Sequence, residues 1–195
     1  MKKLLSILVS TIILFGTLSC YAEEIQLTPK EEVIKQILQD GYSYTAHGLF
    51  VAISDGNISE VNKFLMTGTS PNMTYCKLPA AFWAINKNQP RIVEQLVKAG
   101  VDPNTEYAGT SLLVYAIKHK NPEVVSTLIK LGANVNKESN GLTPLNYALK
   151  SKNTAIVNKL IAAGAVVDEK SLARALKSKD SEAKNIVLAT YKKQG

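Results

Sequence analysis

A repeat of 32 residues constrains this chain more than any other feature of its sequence. A glycine recurs at that step in four similar segments, at Gly68, Gly100, Gly132 and Gly164. An alanine followed by Ile or Leu keeps the same step, at Ala52, Ala84, Ala116 and Ala148. Two markers in one register predict a stack of similar units, because such units bury their apolar faces against their neighbours.

Each unit is predicted to contain two short helices, of which the second is the clearer. The third, fourth and seventh residues before each glycine are apolar, as in Ile129, Leu128 and Val125. This spacing places one apolar stripe on a helix of about ten residues, which the glycine ends in a left-handed conformation. The residues predicted to cap these helices are Asn57, Asn121 and Asn153. Proline occupies the predicted first helical position at Pro90 and Pro122.

The first helix of each unit carries the marker alanine and is shorter. In the fourth unit it covers about eight residues, with Thr143 as the cap and Pro144 at the first helical position. The turn after it, four residues beyond the alanine, is expected near the left-handed region. That position holds Gly56, Asn88, Lys120 and Lys152 in the four units.

This pattern resembles the ankyrin repeat. The segment GLTPLNYAL from Gly141 is similar to the family's G-x-T-P-L-H-x-A-A, with Asn146 at the histidine position, and GANVN from Gly132 is similar to its G-A-D-V-N. The resemblance implies an all-α solenoid of about four helix-turn-helix repeats with short hairpin fingers between them. The period is 32 rather than the family's 33, so the fingers are expected to be slightly shorter than usual.

Half-repeat caps are expected at both ends of the stack. Thr28 and Glu31 form a capping box before a helix that Gly41 closes, so residues 29–40 are predicted to be the second helix of a truncated repeat. Lysine-rich helices near 171–178 and 181–192 would supply the polar outer face of the other cap. The predicted organisation is a capping segment at 23–43, repeats at about 44–75, 76–107, 108–139 and 140–169, and capping helices at 170–195.

Residues 1–22 predict a bacterial export signal. A basic Lys2-Lys3 start is followed by an apolar run, Leu4 to Phe15, and by small residues up to Ala22. The apolar run is too short to span a bilayer as a helix. Cleavage after Ala22 would give a periplasmic or secreted protein without a membrane span. A lipoprotein with lipid on Cys20 and an uncleaved anchor remain open as alternatives.

The charge of the chain indicates the chemistry of its partner. The full sequence has 23 basic and 16 acidic residues, and removal of the signal leaves 21 and 16, a net charge of +5. A mildly basic protein favours acidic partners or anionic surfaces, and this charge is not a nucleic-acid signature. Cys76, which is expected to be an exposed thiol in the first finger, would be the only cysteine of the processed chain, so no internal disulfide is expected.

No catalytic motif accompanies this architecture. The sequence contains no P-loop, G-x-G-x-x-G, G-x-S-x-G or H-E-x-x-H motif. Two histidines and two cysteines without a cluster leave little for a metal site. Acidic residues near the ends of the units are interpreted as turn-forming, and they are Asp102, Glu106, Glu138 and Asp168. The chain is therefore predicted to lack catalytic residues, cofactors and metals, and not to be an enzyme.

The residue before each marker alanine is the most informative for binding. It is Val51, Trp83, Tyr115 or Tyr147, and the ankyrin resemblance implies that it lies on the concave side of the first helices. The three aromatic rings would form a ladder there. Both packing between repeats and an exposed contact surface remain open, since aromatic residues dominate interface hot spots.

Basic residues at the ends of the first helices and tyrosines expected at the finger tips complete the predicted face. The ends carry Lys87, Lys118, His119, Lys150 and Lys177. The candidate partner-binding residues are Tyr75, Trp83, Tyr107, Tyr115, Lys118, His119, Tyr147 and Lys150. Lys63, Lys98 and Lys130, on the outer side of the second helices, are expected to be neutral for stability and binding.

The predicted function is non-catalytic binding of another protein through the concave face and finger tips, by a monomer in an exported compartment. The preferred partner is a folded protein with an acidic contact surface. Three alternatives stay open at this point: an exported toxin antagonist or immunity-type protein, an accessory factor for an oxidative-stress enzyme, and an enzyme of unrecognised type. Fold alone does not decide among them.

Overall fold

The computed structural model describes residues 27–194, which form eleven helices and two short hairpins. The helices are α1 (Pro29–Gln39), α2 (Ala46–Asp55), α3 (Ile58–Met66), α4 (Ala80–Asn86), α5 (Pro90–Lys98), α6 (Leu112–Lys118), α7 (Pro122–Lys130), α8 (Pro144–Ser151), α9 (Thr154–Ala162), α10 (Glu169–Leu176) and α11 (Ser181–Gln194). The strands are β1 (Thr74–Tyr75), β2 (Leu78–Pro79), β3 (Glu106–Tyr107) and β4 (Thr110–Ser111). The predicted export signal, 1–22, lies outside the described residues.

The helices pack in two rows. The first helices of the repeats, α2, α4, α6, α8 and α10, pack each on the next, and the second helices, α1, α3, α5, α7, α9 and α11, do the same. The core lies between the rows. The marker alanines are fully buried in it because a methyl side chain lets neighbouring helices approach closely. The architecture is therefore an all-α repeat solenoid, as the sequence predicts.

The apolar stripe of the second helices faces this core. Val125 and Leu128 are fully buried, and Ile129, one residue further round the helix, is partly buried. The same pattern holds in α3, α5 and α9. The predicted register is thus correct in all four repeats.

The helix ends follow the predicted local chemistry with one exception. Thr28 and Glu31 form the capping box of α1, and Thr143 accepts a hydrogen bond from the Asn146 amide at the start of α8. Asn57 and Asn153 cap α3 and α9 as expected. Asn121 does not cap α7, because its side-chain Nδ2 instead donates to the Ile85 carbonyl of the preceding repeat at 3.0 Å.

The turns between paired helices are left-handed, as predicted. The φ angles are +71° at Gly56, +53° at Asn88, +57° at Lys120 and +55° at Lys152. Glycine is the residue that adopts this region without steric cost, so the two lysines carry backbone strain.

The fingers are tight two-residue hairpins. Tyr75 pairs with Leu78 and Tyr107 with Thr110, and the third finger has only a bridge between Ser139 and Leu142. Both central turn residues have positive φ, which matches the type I′ turns that suit twisted hairpins. The expectation that the tyrosines occupy the finger tips is therefore wrong.

The tip of the first finger is formed by Cys76 and Lys77, and that of the second by Ala108 and Gly109. Each tyrosine lies in the strand one residue earlier. A two-residue turn leaves room for only two residues at the tip, and this is the physical reason for the difference. Cys76 is an exposed free thiol, as expected.

The N-terminal cap changes the role of one outer lysine. Helix α1 packs on α3, as a second helix of a truncated repeat should. Lys63 on α3 bonds to Asp40 at the end of α1 and to the buried Glu60 at 2.6 Å. The hydrogen bond from Lys63 is the main reason that the pKa of Asp40 lies below its ordinary value. The expectation that Lys63 is neutral for stability is wrong, whereas Lys98 and Lys130 are exposed.

The C-terminal cap consists of α10 and α11, which pack on each other and on α8 and α9 respectively. Helix α10 begins two residues earlier than predicted because Asp168 caps it, accepting a hydrogen bond from the Ser171 amide at 2.7 Å. In the part of the chain from 27 to 194, no helix has the length and apolar character needed to cross a membrane.

Candidate protein-binding face

The inner face, on the side that the family resemblance makes concave, is formed by the first helices and the finger strands beside them. Along it runs a row of residues that directly precede the marker alanines. We call this the ladder row, and its members are Val51, Trp83, Tyr115, Tyr147 and Arg174. Sequence reasoning missed Arg174, which precedes Ala175. Every residue of the ladder row is partly buried.

Each ring of the ladder row is held by the preceding repeat. Trp83 Nε1 donates to Ser54 Oγ at 2.9 Å, and the Tyr115 hydroxyl donates to Asn86 Oδ1 at 2.7 Å. At the next step the Lys118 ammonium lies 5.1 Å from the centre of the Tyr147 ring, a cation–π contact. Ser54, Asn86 and Lys118 occupy equivalent positions, two residues after the marker alanine. We call their position the clamp row, and it continues with Lys150 and Lys177.

The rings of the ladder row contact buried phenylalanines. Phe50 meets Trp83 edge-on, with ring centres 5.6 Å apart, and Phe82 meets Tyr115 at 4.9 Å. Aromatic pairs favour such edge-to-face geometry. Phe50 and Phe82 thus link Trp83 and Tyr115 to the preceding repeats, and a simple stack of Trp83, Tyr115 and Tyr147 is not what forms. Tyr147 instead donates its hydroxyl to the Ser139 carbonyl at 2.9 Å.

The finger tyrosines pack onto the same phenylalanines. Tyr75 lies 5.4 Å from Phe50 and 5.9 Å from Trp83, measured between ring centres, and its hydroxyl is 3.1 Å from His47 Nδ1. Tyr107 lies 5.6 Å from Phe82. Both tyrosines are partly buried against the core, so they contribute to packing. The strand position turns each ring back onto the first helices instead of leaving it at the tip.

The two histidines lie at opposite ends of first helices. His119 is exposed at the end of α6, and its ring centre is 4.6 Å from that of Tyr115. His47 is exposed in the first turn of α2, which Thr45 caps. Both therefore border the aromatic part of the inner face.

Basic side chains dominate the other end of the inner face. Lys118, Lys150 and Lys177 are exposed in the clamp row, and Lys87 is exposed at the end of α4. Lys170 and Arg174 add two more cations on α10. The ion pairs of the described chain involve other lysines, which are Lys35, Lys63 and Lys98 on second helices and Lys137, which pairs with Glu106 of the second finger. The cations of the first helices therefore have no directly paired acidic side chain between residues 27 and 194.

A buried hydrogen-bond network joins the last two first helices. Asn146 is fully buried; its Nδ2 donates to Thr143 and to both carboxylate oxygens of Asp168, at 3.1 and 3.2 Å. Its Oδ1 accepts from Arg174 Nε at 3.3 Å. Burial raises the pKa of Asp168, but the hydrogen bonds from Ser171 and Asn146 outweigh it and hold that pKa below the ordinary value.

The acidic residues near the ends of the repeats do not form a joint site. Asp102 accepts a hydrogen bond from the Asn104 amide at 2.8 Å, which is the turn geometry that was predicted. Glu106 instead pairs with Lys137 at 2.8 Å, and Asp168 caps α10. Over residues 27–194, no group of three or more His, Cys, Asp or Glu side chains is arranged to hold a metal ion.

Comparison with known families identifies the repeat. The family model described as ankyrin repeats (3 copies) matches residues 49–139 and, in a second overlapping match, residues 81–171. Together the two matches cover more than half of the chain. No curated protein matches it.

Proposed function

The chain belongs to the ankyrin repeat family, and we propose that it is a non-catalytic binding protein that holds another protein against its inner face. Ankyrin repeats are in general protein–protein interaction modules, and the family is typically non-catalytic. The fold by itself does not identify a binding site, so the proposal depends on the chemistry of this one face.

One observation carries the proposal: the inner face combines partly buried aromatic rings with exposed, unpaired cations. Trp83, Tyr115 and Tyr147 are held rigidly by contacts from the preceding repeat, so a partner that covers them loses little further side-chain entropy. Aromatic residues of this kind supply most of the energy of protein interfaces. The outer side, by contrast, offers paired charges such as Lys98 with Glu94 at 2.6 Å.

The charge of the face favours an acidic contact surface on the partner. Lys118, Lys150 and Lys177 follow one another along the clamp row. Positive charges in a row steer an acidic protein during encounter and strengthen its electrostatic complementarity. The polar capping helix α11 ends in Lys192 and Lys193, which suits a stack that is closed at its end and works as a monomer.

We place this activity outside the cytoplasm. The basic start, the apolar run from Leu4 to Phe15 and the small residues up to Ala22 support export followed by cleavage. Intact-mass analysis of protein purified from its own cells tests this step. A mature chain that begins at Glu23 is the expected result, and a lipid-modified Cys20 at the new terminus would replace it with an anchored form.

Affinity capture with paired variants tests the binding proposal. The wild-type protein is immobilised and exposed to the exported fraction of its own cells, and retained proteins are identified by mass spectrometry. A Lys118→Glu, Lys150→Glu double variant changes the inner face, and a Lys98→Glu, Lys130→Glu double variant makes the same charge change on the outer side.

We expect the inner variant to lose the partner and the outer variant to retain it. The opposite result would move the binding site to the outer side. The identity of the retained protein also separates the finer alternatives, because a toxin would indicate an immunity-type role and a peroxide-degrading enzyme an accessory role.

A further inference from the structure

The contact between the clamp row and the ladder row recurs along the solenoid, but its chemistry changes from step to step. At each step, a clamp-row residue of one repeat contacts the ladder-row residue of the next. Ser54 accepts from Trp83, Asn86 accepts from Tyr115, and Lys118 lies over Tyr147. The first two contacts are hydrogen bonds and the third is a cation–π contact, and all three are attractive.

The next step of the same register breaks this pattern. Its ladder residue is Arg174, whose Nε donates to Asn146 at 3.3 Å and not to Lys150 of the clamp row. Lys170 and Lys177 lie one turn of α10 to either side of Arg174, and with Ala173 these three line a shallow depression. Within residues 27–194, the side chains of Lys150, Lys170 and Lys177 have no hydrogen-bond or ion-pair partner. Asp168 attracts Lys170 through space, but its carboxylate accepts hydrogen bonds from Asn146 and Ser171, so the cluster stays positive and suited to bind an anion.

Arg174 is oriented for that role. Its Nε donates to Oδ1 of the fully buried Asn146, which is itself fixed by Thr143 and Asp168. This contact uses one guanidinium nitrogen and leaves the two terminal nitrogens for a ligand. A guanidinium held in this way presents paired donors that match a carboxylate.

The length and composition of the two rows indicate a polypeptide ligand. Neighbouring packed helices lie about 8–10 Å apart, so the three steps from Trp83 to Arg174 span roughly 27 Å. A segment in the extended polyproline II conformation rises about 3.1 Å per residue with three residues per turn, so roughly nine residues cover that distance and every third side chain faces a new repeat. A small anion would use only the cationic end and would leave the rings of Trp83 and Tyr115 without a role.

We propose that the inner face binds an extended acidic segment of its partner in one orientation, with carboxylates at Lys150, Arg174 and Lys177 and an apolar side chain at Trp83 and Tyr115. This inference rests on the proposed function and specifies its ligand. The partner segment carries acidic residues at about every third position at one end and an aromatic or aliphatic anchor at the other.

Three synthetic peptides test the proposal by fluorescence anisotropy with the full processed protein. The first has ten residues, with Trp and Leu near one end, three Glu at every third position near the other, and Ser and Gly between. The second replaces the three Glu with Gln, and the third replaces Trp and Leu with Ser. The first peptide should bind at least about fivefold more tightly than either of the others, because each loses one half of the contact.

The protein variants then locate the carboxylates. Arg174→Gln and Lys150→Gln should each weaken the first peptide about five- to tenfold, the range of a lost charge-assisted contact. Neither should change the Gln peptide by more than about twofold, since a double-mutant cycle isolates the paired term. Lys98→Gln and Lys130→Gln are the matched controls and should leave the first peptide unchanged. Equal binding to wild type, Arg174→Gln and Lys150→Gln would overturn the proposal.

Other anions separate this proposal from its rivals and from the proposed function. Vesicles of phosphatidylglycerol and inorganic phosphate should bind more weakly than the peptide and without dependence on Trp83. Vesicle binding that depends on Arg174 while the peptide fails to bind would overturn the proposal in favour of a lipid surface. A natural partner lost with the inner charge variants but indifferent to Arg174→Gln would overturn this inference and leave the proposed function standing.

Discussion

The first two fingers and the third finger occupy the same repeat register, yet they join the inner face in different ways. Tyr75 and Tyr107 pack against Phe50 and Phe82, with ring centres 5.4 and 5.6 Å apart. Ser139, at the equivalent position, is buried and accepts a hydrogen bond from the Ser111 amide at 3.0 Å. The N-terminal half of the face is therefore held by aromatic packing and the C-terminal half by hydrogen bonds.

The same change appears two residues before each marker alanine. Phe50 and Phe82 fill this position in the first two repeats, and the fully buried Asn146 fills it in the fourth. The backbone fold and the buried alanine are the same in these repeats. The side chains that join one repeat to the next differ. This variation gives the aromatic half apolar contact surface and leaves the other half polar, basic and responsive to pH.

The largest expected effect is in the aromatic half. Phe82→Ala should lower the free energy of unfolding by about 3–5 kcal/mol, because a fully buried ring in contact with Tyr107 and Tyr115 is replaced by a cavity. Urea unfolding followed by circular dichroism measures it. A loss below about 1.5 kcal/mol, the size of a tolerated core change, would show that the rings are not packed as described.

The equivalent change in the polar half should cost less. Asn146→Ala removes hydrogen bonds to Asp168, Thr143 and Arg174, and should lower the free energy of unfolding by about 1–3 kcal/mol. The same urea titration serves as the comparison. If Asn146→Ala lowered the free energy of unfolding as much as Phe82→Ala, the two halves would not differ in stability as proposed.

The finger tyrosines should contribute less to stability than Phe82, because their rings are only partly buried. Tyr75→Ala should cost about 1–2 kcal/mol, because the ring is partly buried against Phe50 and Trp83. Tyr75→Phe keeps the ring and loses only the contact with His47, so it should cost about 0.5 kcal/mol. A stability change of Tyr75→Ala within the range of ordinary surface substitutions, about 0.5 kcal/mol, would restore the view of an exposed tip.

Acid should weaken the polar half. The pKa of Asp168 is lowered in the folded protein, so its charged form stabilises the fold above the ordinary aspartate pKa of about 4, and that contribution is lost as pH falls towards the folded value. Asp168→Ala should therefore cost about 1 kcal/mol at pH 7, the worth of a helix cap, and progressively less below pH ~4. A cost that stays constant from pH 7 to pH 3 would contradict this assignment.

The smallest effect should be the same in both halves, because it concerns the turns. Lys120→Gly and Lys152→Gly should each leave the free energy of unfolding unchanged or raise it by up to about 1 kcal/mol, since both lysines have positive φ. Lys150→Gly, within helix α8, is the opposing control and should cost about 1 kcal/mol. Destabilisation by Lys152→Gly of the same size as the control would show that the turn is not strained.

Much of the fold could be predicted from the sequence because its signals are local and repeated. The glycine and alanine markers give the register, and the capping residues give most helix starts. Asn121 is the instructive exception: it has the same spacing as Asn57 and Asn153, yet its side chain bonds to Ile85 of the preceding repeat. The same asparagine side chain can either cap its own helix or bond to the preceding repeat. The spacing of the residue in the sequence does not show which of the two it does.

The candidate site was less accessible to sequence reasoning, because its chemistry depends on pairs between repeats. The register of the ladder row was predicted, but Arg174 was missed since the last step is 27 residues instead of 32. The packing of Tyr75 on Phe50 and the bond of Lys63 to Asp40 each join residues from different repeats. Knowing which residues lie on a face therefore falls short of knowing which of them hold one another in place.

Site-specific photo-crosslinking tests the central claim, that the partner binds the inner face, most directly. A photoreactive phenylalanine analogue is placed singly at Lys118 or Lys150 on the inner face, and at Lys98 or Lys130 on the outer side, all of which are exposed positions. After irradiation in cells, cross-linked products are resolved by mass. The account predicts one common product from Lys118 and Lys150 and none from Lys98 and Lys130. A product that forms only from the two outer positions would contradict it.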